Sequence, residues 1–154
     1  MSTLPTIADL DELTALVARE GDRDLYIRWS RGPDVDLAAD GPGAQSSRDG
    51  LTGVALPGLS ANPLRIEPWW EHRSVRLWLA RRLYDYRHLR ELRGPGVRPW
   101  VLRGVEIARG PDNEPLVICR APLAWVADEV LREARKLVDE QHSSEWGPLD
   151  RQSG

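Results

Sequence analysis

Hydrophobic and polar positions change period several times along this chain, and each change marks an element. Ile7, Leu10, Leu13, Leu16 and Val17 recur at helical intervals up to Gly21, and Thr6-Ile-Ala-Asp9 has capping-box spacing with Asp in place of the usual Glu. A first amphipathic helix is expected there. From Asp24 to Ser30 the period falls to two, with Leu25, Ile27 and Trp29 on one face and Tyr26, Arg28 and Ser30 on the other. This predicts a strand whose second face is polar without being merely solvated. Arg31 to Gly50 brings Gly, Pro, Ser and Asp34, Asp36, Asp40 and Asp49 with few apolar residues, the pattern of a mobile loop, and a short strand is expected at Leu51 to Leu56.

The stretch from Leu56 to Trp70 is too apolar for a free linker, yet Pro57, Pro63 and Pro68 each fix φ and remove a backbone donor. It is expected to be a packed, irregular wall. Pro68 is placed to open the next helix, in which Val75, Trp78, Leu79, Leu83, Tyr86 and Leu89 share one face before Gly94-Pro95-Gly96; this is expected to be the longest helix. Trp100 to Ala108 and Glu114 to Cys119 read as an antiparallel hairpin around Arg109-Gly-Pro-Asp-Asn113, and Leu123 to Ala127 as another short strand. Asp128 then caps a helix through Val130, Leu131, Ala134, Leu137 and Val138. Strands that cluster as hairpins rather than alternating with helices indicate an α+β fold. The expectation is a single domain over residues 1–142, with a mainly antiparallel sheet flanked by about three helices, and a polar tail over 143–154.

Composition narrows the class. At 154 residues and 41% apolar, the chain suits one core. It has no run of about 18 apolar residues and no basic patch followed by an apolar segment, so neither a membrane span nor a secretory signal is expected, and the cytoplasm is the expected location. The single Cys119 cannot form an internal disulfide, and His72, His88 and His142 lack metal-ligand spacing, so no metal is expected. Charge is uneven: residues 1–50 hold five arginines against ten acids, residues 51–111 eleven against five, and residues 112–154 five basic side chains against nine acids. A basic middle between acidic ends either binds phosphate or is neutralised within the fold. Seven Trp and three Tyr stand against no Phe, a choice suited to half-wet pockets because both rings carry a polar tip.

Candidate chemistry is scattered. Gly58-Leu-Ser60-Ala-Asn62 falls one residue short of a Gly-x-Ser-x-Gly nucleophile elbow, with Asn62 for the second glycine and Pro63 where the helix should begin, which disfavours a hydrolase. Arg76, Arg81, Arg82, Arg87, Arg90 and Arg93, interleaved with Trp78, Tyr84 and Tyr86, have the makings of a nucleic-acid track. However, Arg81 with Asp85 and Arg87 with Glu91 stand at i,i+4, as on an ordinary solvated helix, and the chain is acidic overall.

Arg28 on the early strand, Ser60 in the wall and Asp112-Asn-Glu114 before a hydrophobic strand form an order that resembles the Arg-Ser-Glu pattern of ADP-ribosyltransferases. The resemblance implies NAD as cofactor, with Arg28 anchoring the dinucleotide, Ser60 supporting the nicotinamide pocket and Glu114 favouring an oxocarbenium-like ribose. Tyr26, Asn62, Trp69, Trp70 and Asp112 would complete the cofactor site. Ser60-Ala-Asn62 stands where that family has Ser-Thr-Ser, and Asp112 where it has the first Glu of Glu-x-Glu. The alternative is that Arg28 pairs with an acid, Ser60 satisfies a turn and Asp112-Asn-Glu114 forms a hairpin loop. Over most of its length the chain also resembles a small family of actinobacterial proteins of unknown function, through Leu25-Tyr-Ile-Arg-Trp-Ser-Arg-Gly-Pro33, Pro57-Gly-Leu-Ser-Ala-Asn-Pro-Leu64, Ala80-Arg-Arg-Leu-Tyr-Asp-Tyr86, Arg98-Pro-Trp-Val-Leu102 and Arg109-Gly-Pro-Asp-Asn-Glu-Pro-Leu-Val117.

Two functional readings follow. One is a small-ligand or partner-binding protein, whose site lies where the polar face of the Tyr26 strand meets the wall from Ser60 to Trp70 and the Asp112 loop. NAD-dependent ADP-ribosyl transfer is its sharpest form. The other is a non-catalytic module using Trp69, Trp70 and the Arg-rich helix to contact protein or nucleic acid.

Overall fold

In the computed structural model, residues 4–37, 58–71, 73–87, 89, 96–110 and 114–140 are described. The first helix, α1 (Leu10–Glu20), begins four residues after the expected cap. Thr6 and Ile7 instead form a short strand, β1 (Thr6–Ile7). Asp9 is the true cap, its carboxylate accepting from the Glu12 amide at 2.8 Å, while Glu12 Oε1 accepts from the Ala8 amide at 3.3 Å. The cap thus stands three residues beyond the expected one, with the return bond from Glu12 going to Ala8, one residue before the cap. The helix stops at Gly21, whose φ of 82° suits a residue without a Cβ.

The alternating segment is β2 (Leu25–Ser30), followed by one helical turn, α2 (Pro33–Asp36), inside the stretch expected to be a loop. Among its described residues the proline-punctuated wall supplies only two-residue strands, β3 (Leu59–Ser60) and β4 (Asn62–Pro63), and a 3-10 turn at Pro68–Trp70. Pro68 therefore opens that turn and not the following helix. At Glu71 φ is 60° and the chain changes direction, after which the Ser74 hydroxyl accepts from the Leu77 amide and caps α3 (Val75–Asp85). The hairpin strands are longer than expected, β5 (Arg98–Arg109) and β6 (Pro115–Val126), because the separate strand expected at Leu123 is the end of β6. The last element, α4 (Asp128–Glu140), is the longest described helix. The strand expected at 51–56 lies outside the described residues.

These elements make one α+β unit whose six-stranded sheet has the order β1-β6-β5-β2-β4, with β3 also on β6. The sheet is mixed: β1 runs parallel to the end of β6, and the other pairs are antiparallel. Ser60 pairs with Leu116 of β6, Asn62 with Ile27 of β2, and only Ala61 separates them. One five-residue stretch is thus hydrogen-bonded to two strands that β5 keeps apart, and the sheet curls round to meet itself. The Ala61 amide donates to the Pro115 carbonyl and the Leu64 amide to the Leu25 carbonyl, completing the seam. At Gly58 a Cβ would stand 2.9 Å from the Val117 carbonyl, so glycine permits this close approach.

Two cores follow from the alternation along β2. Leu25, Ile27 and Trp29 pack with Val101 and Val126 against the apolar faces of α1, α3 and α4. Tyr26 turns the other way, into a smaller core of Leu59, Ala61, Trp100, Leu102 and Val117 inside the curl. The helices are tied by side chains: Glu133 of α4 accepts from the Leu10 amide at 2.8 Å, and Arg76 of α3 reaches Asp11 at 2.9 Å and Glu133 at 3.7 Å. No helix among the described residues is long and apolar enough to cross a membrane.

Candidate functional site

The sheet keeps Arg28, Ser60 and Glu114 at one end of the curl and places the Trp69–Trp70 pair on its other side. Arg28 points into the curl, where Nε donates to Asp36 Oδ2 at 2.6 Å and Nη1 donates to the Ser60 carbonyl at 2.7 Å. The same Asp36 oxygen accepts from the Ser30 hydroxyl at 2.5 Å, and that hydroxyl accepts from Trp100 Nε1 at 2.8 Å and from the Gly32 amide at 3.1 Å. The Arg28 and Asp36 side chains are 9% and 12% exposed, so both charges depend on each other in place of water. Gly32, with φ at 121°, lets the chain turn from β2 into α2 directly against the Trp125 ring; a Cβ there would stand 2.5 Å from that ring. Asp36 is the partner that the sequence reading missed. Its signal was Pro33 at the first position of a turn, with acids a few residues beyond a buried arginine.

Glu114 reaches the same end of the curl. It lies two residues before Leu116, the partner of Ser60; its carbonyl accepts from the Gly110 amide at 2.9 Å and its carboxylate lies over Gly110. Asp112 lies outside the described residues. Tyr26 is packed in the inner core, and burial raises its phenol pKa, reinforced by Glu106. Asn62 is half-buried on β4.

Trp69 and Trp70 belong to the other side of the sheet. Trp70 is fully buried and meets Trp78 edge-on at 5.3 Å between centroids, and Trp69 meets Trp78 at 5.5 Å. Each such pair adds about 1 kcal/mol beyond its burial. The indole nitrogens of Trp70 and Trp78 donate to the carbonyls of Ser74 and Leu64, both at 3.1 Å. The sheet thus separates the tryptophan pair from Tyr26 and Arg28, because β4 hands the chain from the inner core to the outer one at Leu64.

The arginines on and around α3 are used internally as well. Arg73 lies over Trp70 and Arg82 over Trp78, at 5.2 and 4.5 Å, and Arg81 pairs with Asp85 at 2.8 Å. Burial raises the Asp85 pKa, with Arg81 pulling against it. Arg90 and Arg93, like His72, His88 and His142, lie outside the described residues. Among those that are described, no group of three or more His, Cys, Asp or Glu side chains is placed to hold a metal ion.

A cleft of about 260 Å³ opens where the end of α3 faces the start of α4. Trp29 and Leu83, each 1% exposed, form its base. Its rim carries Tyr84 and Arg87 after Leu83 on one side, and Asp128, Leu131, Arg132 and Arg135 from the first two turns of α4 on the other. Helical spacing accounts for the second set, since residues three and four apart share a face. Arg87 lies over the Tyr84 ring at 3.6 Å and donates to the Tyr84 carbonyl at 2.5 Å, which holds its fork. Arg132 pairs with Glu129 at 2.9 Å and Arg135 with Asp139 at 3.9 Å, all four well exposed. Arg132 holds the Glu129 carboxyl below its usual range. Exposed pairs of this kind are weak and are exchanged readily for a better anion.

A family model described as a family of unknown function, DUF6098, matches residues 1–147. The chain belongs to DUF6098. The match runs over both the Arg28–Asp36 network and the α3–α4 cleft, so both lie within the DUF6098 unit. No curated protein and no solved structure matches the chain.

Proposed function

We propose that this DUF6098 domain binds a small anionic ligand in the cleft between α3 and α4. The observation that carries this reading is that Arg87, in the turn after α3, and Arg132 and Arg135 of α4 border one concavity with a buried Trp29–Leu83 base. An apolar base with a few placed polar groups on its rim is the usual build of a small-molecule site. The reading moves the site away from the inner face of β2, where the guanidinium expected to hold a pyrophosphate is committed to Asp36 and the Ser60 carbonyl. It also favours a ligand pocket over a nucleic-acid track, since the buried Arg81 is paired with Asp85 and Arg82 lies over Trp78.

The test is a thermal-shift panel of small carboxylates, sulfonates and phosphomonoesters, run on the wild type and on an Arg87→Gln/Arg132→Gln double variant. At least one compound is expected to raise the wild-type Tm by several degrees and to leave the variant unmoved. Shifts of equal size in both proteins, or no shift with any compound, overturn the reading.

A further inference from the structure

We infer that the cleft selects a small organic phosphomonoester, an inference that rests on the ligand-binding reading above. Among the described residues, three arginines line the cleft, one just past the end of α3 and two on α4. A carboxylate has one charge and two oxygens, and a single arginine fork satisfies it bidentately. A phosphomonoester carries close to two charges at neutral pH and three terminal oxygens, more than one fork can satisfy and within the reach of several. The start of α4 adds its own positive dipole end on the same side.

Two features limit the size and charge of the ligand. The volume of about 260 Å³ falls just below the range of about 300 to 1,000 Å³ usual for ligand pockets, which suits a small ligand better than a dinucleotide. Asp128 stands on the same rim and repels further negative charge, which disfavours polyphosphates. Trp29 and Leu83 close the floor, and the half-buried Leu131 and Tyr84 above them offer apolar surface that inorganic phosphate cannot use. The carbon skeleton of a small ester can. Arg87 is held in advance by its stack on Tyr84, so that fork loses little freedom on binding.

The experiment is calorimetric titration of the full chain with phenyl phosphate, glycerol phosphate, inorganic phosphate and the matched carboxylates benzoate and glycerate. It is repeated on Arg132→Gln and Arg135→Gln, exposed substitutions whose folding is checked by urea midpoint. At least one phosphate ester is expected to bind tenfold or more tightly than its matched carboxylate and than inorganic phosphate, with a loss of about tenfold in each variant. A carboxylate that binds as well as its ester, with the same loss in the variants, overturns the phosphate class and leaves the ligand-binding reading standing. Inorganic phosphate binding as tightly as the esters overturns the organic ligand. Absence of binding by every probe, or binding indifferent to both substitutions, overturns both readings.

Discussion

Arg28 and Asp36 illustrate how one buried charge organises its surroundings. The guanidinium on β2 fixes the turn of α2 through Asp36 and the seam strand through the Ser60 carbonyl, so three pieces of chain meet on one side chain. Asp36→Asn keeps the shape and removes the charge, leaving Arg28 buried without its counter-ion. The expected loss is about 3 kcal/mol of unfolding free energy, read from urea titration, with much of it recovered in Arg28→Met/Asp36→Asn, where neither charge remains. Because this network lies on the inner face of β2 and Trp29 on the outer, ligand affinity at the α3–α4 cleft should be unchanged in the double variant. The polarity of the second face of β2 was legible from the alternation of Tyr26, Arg28 and Ser30. Its partner was not, because Asp36 sits among acids that composition alone assigns to a loop.

At the scale of elements, the stretch from Leu59 to Pro63 does the most with the fewest residues. Prolines mark it as no ordinary strand, and it pairs only two residues at a time; yet it joins β6 to β2 and encloses the inner core. Ala61, 1% exposed, lies at the narrowest point of that enclosure. Ala61→Leu should overpack the inner core and cost about 2 kcal/mol, measured as a lowered urea midpoint with an unchanged m-value. Long periodic elements were readable in advance: α1, β2, α3, the hairpin and α4 all stand near their expected places. Their starts were less so. Thr6 and Ile7 leave the helix pattern because β6 offers them a strand partner, and Pro68 opens a 3-10 turn because Trp70 must fold back into the outer core.

For the whole molecule, two groups, Tyr26 in the inner core and Cys119 packed against it, link folding to alkaline pH. Burial pushes the Cys119 thiol from 9.0 up to about 11 and also raises the Tyr26 phenol. Both hold their protons more tightly in the folded state than in the unfolded chain. Between about pH 9 and 11 the folded protein therefore binds more protons, and stability falls as pH rises through that window. Urea midpoints measured from pH 8 to 11 should decline in the wild type, and the decline should be shallower in Cys119→Ala. An equal slope in both would mean that the thiol is not the group responsible.

The sequence by itself determined the class of fold, the main elements and the two-faced character of β2, since these follow from local periodicity and from the preference of each residue for a face. Tertiary structure alone decided that the sheet curls through Ala61, that the tryptophan pair and Arg28 lie on opposite sides of it, and that Arg87, Arg132 and Arg135 border one cleft. The physical reason is distance along the chain. Periodicity reports on neighbours within a turn or two, whereas Arg28 and Ser60, or Arg87 and Arg132, become neighbours only when buried surface on separate elements is brought together.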